Sequence, residues 1–587
     1  MKKISDSYPF YIPLVAVCTG FILCQYNFLT VPFLVVLFGW IFCLILQNRY
    51  RYFQFFIYTF LLFLMMGFVR YFQNQDTFNR DLENIHQSNN LHLVISQNLG
   101  KRKNWFRYEC KVLESSKDGL HWIQTADANI DLYFKDSTDL NEGHSFVLKN
   151  IHLLHYEMAV LPGDFDLRKL KFSRKFVALC FAKNVNLVNS SRKEIDLFKW
   201  RANVKNKLNA SLTAGLSNSN LMLVRQLIWG DKTTIDEDLK HAFQISGTTH
   251  VLSVSGMHMA LLFAFIHFIL DKLSKNKTTK RWLKLAIIPI LWIYAFFTGF
   301  SAPVLRAVSF FTYYLIGNVL FYRDLKLLHV LMVVGIIQLL FDPFSLYDIG
   351  FQLSYLAVLG LSVVLPVFKR YYEGVPIFWS YIFDAFSISL SSSITTYPLI
   401  LFYFHQFSVW FLLGNLLLLP LFTLLMYALF FLVFLAIFHV KLSFVVACLN
   451  QYLNLVAHIV KYSIQLPHPF VFTYGFNVTL MFIHFVFLYM IIAHFYRGWR
   501  FLSVMFLLLF MVNFSALYWF RQQRNHQDFN VSFKLYGGQV SVLKSARTLK
   551  ISADAKVPQN RINQKLEYLL KSREIDTVIY TIHSESK

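Results

Sequence analysis

The sequence predicts a polytopic α-helical membrane protein of about 13 spans with one β-rich domain outside the membrane. Three observations predict this fold class. Hydrophobic residues make up 56% of the 587 residues. A water-soluble protein with this composition would expose large apolar patches on its surface. Apolar runs of about 20 residues, the length that crosses a bilayer, recur along the chain. A long polar region with short, alternating strand patterns interrupts these runs.

The N-terminal 70 residues predict three transmembrane helices. These spans lie near 9–27, 29–47 and 52–70. Lys2 and Lys3 precede the first span, and Arg49 and Arg51 follow the second. Basic residues favour the cytoplasmic side, so the N-terminus is predicted to be cytoplasmic and residues 71–195 extracytoplasmic. No small-residue cleavage site follows the first span, which indicates an uncleaved anchor.

Residues 71–195 predict an extracytoplasmic domain of about five strands. Stretches such as LHLVISQ and ANIDLYFK are short and rich in β-branched residues, and a Pro-Gly turn interrupts them in LPGDFDLRKL. Such a pattern suits a small barrel or sandwich, with the OB-fold among the options. Because this side is predicted to be oxidising, Cys110 and Cys180 could form a disulfide.

The rest of the chain divides into three further parts. Residues 196–240 predict amphipathic helices that lie at the membrane interface or pack on the outer domain. Residues 241–520 carry the remaining spans, and basic loops such as 271–284 follow alternate spans, as the positive-inside rule requires. The tail, residues 521–587, is then extracytoplasmic and resembles a short α/β segment.

The formal net charge is +23, which fits either the basic loops of a membrane protein or a polyanionic partner such as nucleic acid. The sequence contains no Cys/His cluster typical of a metal site and no nucleotide-binding P-loop. We therefore expect neither a metal nor a cofactor.

Several predicted spans carry polar residues, most densely the stretch HVLSVSGMHM at 250–259. Gly247 and Gly256 predict a break in the helix there, and a broken helix is tolerated where it lines a cavity or is covered by protein. Each histidine alone could be a packing residue, whereas the whole cluster favours a wet path. The candidate channel-lining residues are His250, Ser253, Ser255, Gly256, His258, Arg306, Asp348, Gln352, Ser354 and Asn415.

An enzymatic interpretation is weaker. Ser255 could form a dyad with His258 or His250, but the stretch offers no carboxylate to orient either ring, and a glycine two residues before the serine is missing. We therefore expect no enzyme and name no catalytic residue. Arg306 and Asp348 could form an ion pair that either lines a channel or fixes two helices.

Five motifs in order resemble those of the ComEC competence family. In the stretch above, His250, Leu252, Ser255, Gly256 and His258 match the family pattern H-x-L-x-x-S-G-x-H. The other four are LPGDFDLRKL (161–170), IWGDKTTID (228–236), TGFSAPVLRA (298–307) and DPFSLYDIGFQLSYLAVLG (342–360).

The resemblance implies an inner-membrane channel that passes single-stranded DNA into the cytoplasm during natural transformation. It also implies an outer OB-like domain, a DNA receptor outside, and a cytoplasmic ATPase or single-strand-binding protein inside. The candidate DNA-binding residues, whose aromatic members could equally belong to the core, are Lys101, Arg102, Lys103, Trp105 and Tyr108.

Two qualifications accompany the resemblance. Many family members end in a metallo-β-lactamase-like domain with an H-x-H-x-D-H cluster, whereas the tail here has only the distant His526 and His583, so we expect no intact domain of that kind. The alternative function is a secondary transporter of a small or lipid-linked anion, which the broken helix and Arg306 would suit.

Overall fold

A computed structural model describes residues 51–497 and 528–583 with gaps. The gaps are 103–104, 136–141, 150, 157–166, 183–193, 214, 232–235, 322–324, 439–442, 474–475, 536–537, 546–547, 555–556, 558, 560–561, 563–565 and 567–576. The chain forms two compact units. The described parts of the first unit fall within 51–155, 170–362 and 410–467. Those of the second unit fall within 156–169, within 363–409 and from 468 onward.

A six-stranded sheet forms the β domain of the first unit. Its strands are β1 (Asn90–Arg102), β2 (Trp105–Ser116), β3 (Ile123–Phe134), β4 (Ser145–Lys149), β5 (Leu153–Leu154) and β6 (Phe176–Ala182). Their order is β4-β1-β2-β3-β6-β5, and only β3 and β6 pair in parallel. Since the two edge strands, β4 and β5, follow each other closely in sequence, the sheet must curl until its edges approach. Alternate residues such as Leu91, Leu93 and Ile95 are fully buried inside it.

Helix α1 (Arg51–His86) precedes the sheet and corrects one predicted boundary. The sequence placed the start of the β domain at residue 71, but the helix continues to His86. Tyr71, Phe78 and Ile85 explain the extension, because a spacing of seven residues puts them on one helix face, where they pack into the core of the sheet.

The predicted disulfide between Cys110 and Cys180 is wrong, since both thiols are free and buried. Strand β3 lies between β2 and β6, so their backbones are two strand spacings apart, about 9.5 Å. A disulfide needs Cα atoms about 4.4–6.8 Å apart.

We expect both thiols to react slowly with maleimide in the folded protein. Burial raises the pKa of the Cys180 thiol to about 11 and raises the pKa of Cys110 well above its ordinary value. A thiol with a pKa near 11 carries more than about 100-fold less thiolate at neutral pH than a free cysteine. Single-cysteine variants, labelled folded and then denatured in SDS, measure the difference. Equal rates in the two states, or a Cys110–Cys180 disulfide in the unmutated chain on a non-reducing gel, would contradict this fold.

Helices make up most of the remaining described chain. They are α2 (Leu167–Ser173), α3 (Glu194–Thr213), α4 (Asn218–Trp229), α5 (Glu237–Ile245), α6 (Gly256–Leu273), α7 (Lys277–Leu283), α8 (Ile287–Phe297), α9 (Ala302–Leu320), α10 (Leu327–Phe341), α11 (Ile349–Val363), α12 (Leu365–Lys369), α13 (Ile377–Phe404), α14 (Phe411–Ile437), α15 (Ser443–Tyr462) and α16 (Val478–Arg497). Two short strands, β7 (Gln406–Ser408) and β8 (Phe470–Phe472), pair with each other in antiparallel orientation.

Six helical segments of the described chain are long and apolar enough to cross a bilayer, which makes this a membrane protein. They are Gly256–Leu273, Ala302–Leu320, Ile349–Lys369, Ile377–Phe404, Phe411–Ile437 and Ser443–Gln465. Leu327–Phe341 and Val478–Ile492 are shorter apolar helices. The spans predicted near 9–27, 29–47 and 501–519 lie outside the described residues, so the total of about 13 stays a prediction.

The predicted span at 285–300 is a shorter helix in the structure. Helix α8 has 11 residues, about 16 Å, and ends where Gly299 and Phe300 adopt left-handed backbone angles. Around it, α4 to α6, α9, α14 and α15 share one apolar core, built from residues such as Leu227, Phe243 and Phe422. That core holds the candidate site.

The second unit has a small core of its own. Its helix α13 packs against α16, and Leu401, Phe476 and Leu480 form this core. The tail adds a four-stranded sheet of β9 (Phe529–Leu535), β10 (Gly538–Ser545), β11 (Thr548–Asp554) and β12 (Thr577–His583). The sequence predicted a short α/β segment here, and these four strands are its β part.

Candidate functional site

Residues 246–255, here called the broken segment, separate α5 from α6 as the two glycines predicted. Helix α5 ends at Ile245, and Gly247 then takes a left-handed φ of 70°. A single 3-10 turn, Thr249–Leu252, follows before Ser253 and Ser255 become extended. Between the Ser246 N–H, which still donates to the Ala242 carbonyl at 3.0 Å, and the Ser255 carbonyl, which accepts from Met259, the chain is therefore not α-helical.

Ser255 and His258 restart the helix. Ser255 is the N-cap of α6, and the backbone N–H of Ser255 donates to His258 Nδ1 at 3.3 Å. The Ser255 hydroxyl lies 3.2 Å from the same nitrogen. Because Nδ1 accepts, the neutral ring carries its proton on Nε2. His258 is fully buried, and its Nε2 has no hydrogen-bond partner among the described residues.

The broken segment has one apolar side and one polar side. Val251, Leu252 and Val254 are buried in the core of the first unit. Thr249, His250, Ser253 and Gly256 are exposed, and we call these four residues the polar stripe. The stripe therefore borders space that is open to solvent or membrane.

Helix α14 packs against the broken segment at Ser246. A Cβ atom added to Gly414 would lie 2.1 Å from the Ser246 carbonyl oxygen, so only glycine allows this approach. The next residue, Asn415, is buried, and its Oδ1 has no partner within the described chain. Sequence reasoning named Asn415 and missed Gly414, although a glycine in an apolar run is a signal of close packing.

Arg306 and Asp348 are close but are not the ion pair that the sequence suggested. Arg306 donates to the Gly350 carbonyl at 3.0 Å. Asp348 binds Arg174 instead, with 2.9 Å between Oδ2 and Nε, and caps α11 through the Phe351 N–H. Arg174 belongs to the β domain, so Asp348 anchors that domain to the helices.

Neighbouring groups extend this anchor. Lys175 forms ion pairs with Asp127 of the β domain and with Asp342, the latter at 3.4 Å. Gln352 donates to the Leu346 carbonyl at 2.8 Å, and Ser354 is half-buried on α11. This part of the predicted set therefore joins the β domain to the start of α11.

The ten predicted lining residues thus fall into three places. The broken segment and the start of α6 hold the first five, from His250 to His258. Arg306 lies beside that start, because a Cβ at Gly256 would lie 3.8 Å from the Ala307 Cβ. The second place is the start of α11, which holds Asp348, Gln352 and Ser354 and is linked to α9 by the hydrogen bond from Arg306 to the Gly350 carbonyl. The third place is α14, which holds Asn415.

The predicted DNA-binding residues of the β domain separate as well. Trp105 is half-buried, 5.3 Å from Phe181, and Phe181 stacks on Tyr133 at 4.8 Å. The prediction that Tyr108 stacks on DNA is wrong, because its ring is fully buried in the core and cannot contact a base. Lys101 and Arg102 lie at the end of β1 without described side chains, and Lys103 is outside the described residues.

Sequence reasoning missed a buried charge cluster formed by Glu142, Arg201, Lys205 and Asp231. Arg201 and Lys205 are four residues apart on α3 and share one face. Glu142 lies 3.2 Å from Arg201 and 3.6 Å from Lys205, and Lys205 is 2.7 Å from Asp231. The cluster ties the turn before β4 to α3 and to the loop after α4. The i, i+4 basic pair was the available signal.

No group of three metal-ligating side chains lies together in the described ranges, and the expectation of no metal site stays a prediction.

Known proteins resemble part of this chain. Residues 227–520, half of the chain, match the family described as Competence protein. ComE operon protein 3 of Bacillus subtilis is 27% identical over 45% of this chain and 32% of its own length. Recombination protein 2 of Haemophilus influenzae is 26% identical over 45% and 33%, and Competence protein ComA of Neisseria gonorrhoeae is 28% identical over 30% and 26%. The matches therefore span about a third of the relatives' length. No solved structure matches significantly.

Proposed function

This chain belongs to the Competence protein family, which is implicated in DNA uptake during transformation, and on that premise we propose that it conducts single-stranded DNA. The strand would cross the inner membrane of a bacterium into the cytoplasm. The N-terminus would be cytoplasmic, with the β domain and the tail outside, as the basic loops favour.

The polar stripe carries the proposal. Exposed polar side chains facing lipid are costly, so Thr249, His250 and Ser253 are best explained as lining a water-filled path. Hydroxyls, a neutral ring and a glycine bind a polymer weakly, and weak repeated contacts let it move on. The path would run past α6, α9 and α11.

Buried polar atoms on α6, α9 and α11 give further support. His258 Nε2, Arg306 Nε and Gln352 Oε1 have no hydrogen-bond partner within the described chain. Buried polar atoms in proteins are generally satisfied by protein or by ordered water. A wet interior would satisfy these groups.

The β domain would receive the DNA as an OB-like domain. Its three-strand meander, the parallel pairing of β3 with β6, and the return of β4 to β1 support that topology. Trp105, Tyr133 and Phe181 would provide the stacking face in place of Tyr108.

We propose no enzymatic step. The contact between Ser255 and His258 is a helix cap, in which the Ser255 backbone N–H donates to His258 Nδ1. The Ser255 hydroxyl would need that same nitrogen as its base. Energy for transport would come from a cytoplasmic ATPase or from a protein that captures the strand inside, and a receptor would deliver DNA from outside.

Fluorescent DNA followed in cells lacking this protein tests the proposal. We expect DNA to stay outside the inner membrane in the deletion strain and to enter when the gene is restored. Ser253→Trp should block entry, because a bulky ring would narrow the path. Ile293→Trp, at an exposed apolar position of α8, is the matched control and should leave entry intact. Normal entry of DNA in the deletion strain would refute a channel.

A further inference from the structure

A cavity of about 360 Å³ lies between α6 and α9, at the ends farthest from the broken segment. This α6–α9 cavity lies within the range of about 300–1,000 Å³ that small-molecule sites occupy. Its lining is Phe263, Ala264, His267, Phe268, Asp271, Lys284, Tyr314, Leu315 and Asn318.

One wall of the cavity is aromatic. Phe263 stacks on Phe311 of α9, with 4.8 Å between ring centroids and 14° between planes. The His267 ring stacks beside Phe263 at 6.0 Å. Phe268 is largely exposed and adds a second apolar face. Such faces stack on nucleobases of any sequence.

Most of the remaining lining is polar. Lys284, Tyr314 and Asn318 belong to it. Asp271 is already paired with Lys280 at 3.1 Å, and no carboxylate of the described chain lies within ion-pair distance of Lys284. The segment 271–284 carries six basic residues and one acidic residue. An anion in the cavity would therefore meet the Lys284 ammonium group, which interacts with Asp271 only beyond ion-pair distance, in a segment of net positive charge.

Exposed residues of α6 lead from the polar stripe to the cavity. Gly256, Ala260, Ala264 and Phe268 follow at intervals of four residues on α6, and all four are exposed. Small residues in the first three positions keep this face open. A chain that passes the broken segment and follows α6 arrives at the cavity.

We propose that the α6–α9 cavity is a subsite for one nucleotide of the translocating strand. The base would lie against the exposed ring of Phe268, and the phosphodiester would meet Lys284. This inference rests on the proposed function and adds to it a defined holding point at the far end of the path. A single stacked base held by one cation is weak enough for the strand to advance.

Photo-cross-linking of the full chain tests the subsite. Benzoylphenylalanine is placed at Phe268 in the cavity, at Ala260 on the path, or at Ile293 on the exposed face of α8, and each variant is illuminated during uptake of labelled DNA. We expect DNA adducts at Phe268 and Ala260 and none at Ile293. Adducts at Ala260 alone would overturn the subsite and leave the channel standing. Adducts at neither position would overturn both. A phospholipid adduct at Phe268 in place of DNA would show a lipid site instead.

A charge variant sharpens the result. Lys284→Gln should lower the adduct yield at Phe268 several-fold and weaken its dependence on salt, since a phosphate contact is lost. Lys275→Gln removes the same charge from an exposed loop position outside the cavity and should change neither quantity. Equal effects of the two variants would overturn the assignment of Lys284.

Discussion

Gly414→Ala is expected to abolish DNA entry and to destabilise the protein by about 3 kcal/mol, at the upper end of the cost of overpacking. The added Cβ would lie 2.1 Å from the Ser246 carbonyl oxygen and 3.0 Å from its carbon. These are backbone atoms, so relief requires that α14 or the broken segment move. Either shift would displace Asn415 and the polar stripe.

Gly317→Ala is the matched control for this prediction. Its Cβ would meet Leu325 Cδ1 at 2.2 Å, a similar distance, but the obstacle is the end of a flexible side chain. Rotation of Leu325 relieves that contact at low cost. Thermal unfolding in detergent and transformation frequency at matched expression compare the two variants. A Gly414→Ala protein as stable and active as Gly317→Ala would show that α14 need not touch the broken segment.

The helix break was predictable because its signal is local. Gly247, Gly256 and the serines between them favour turns and caps over continuous helix, whatever lies around them. The strands of the β domain were predictable for the same reason, since alternation and turn residues lie within each stretch. The extension of α1 was missed because Tyr71, Phe78 and Ile85, which recur every seven residues, are separated by mostly polar residues.

The partners of the site were not predictable, because they are distant in sequence. Asp348 pairs with Arg174, 174 residues away, rather than with Arg306, and no local pattern distinguishes the two arginines. Tyr108 and Tyr133 both lie on strands, and only the direction of each residue in its strand decides which is buried. The glycine at 414 indicates close packing in the sequence, but its partner, Ser246, is 168 residues away and no local pattern identifies it.

Glu142→Gln is expected to weaken the attachment of the β domain and to cost about 3–5 kcal/mol, the usual penalty for breaking a buried ion pair. The change removes the carboxylate that lies 3.2 Å from Arg201 and 3.6 Å from Lys205, both of which are buried. Asp231 would remain as the near partner of Lys205, so the Arg201 charge would lose the most. A domain freed at this contact would no longer deliver a strand to the helices, and DNA entry should fall with stability.

Asp236→Asn is the matched control for charge removal. Asp236 pairs with Lys461 at 3.0 Å, but both side chains are about half exposed, and such pairs contribute about 0–1 kcal/mol. Asparagine also keeps the N-cap of α5, so only the charge is lost. Limited proteolysis between the β domain and α3, together with the unfolding temperature, should report a large change for Glu142→Gln and little for Asp236→Asn. Since solvent screens the exposed pair and not the buried cluster, equal responses would mean that the cluster is hydrated and does not hold the domain.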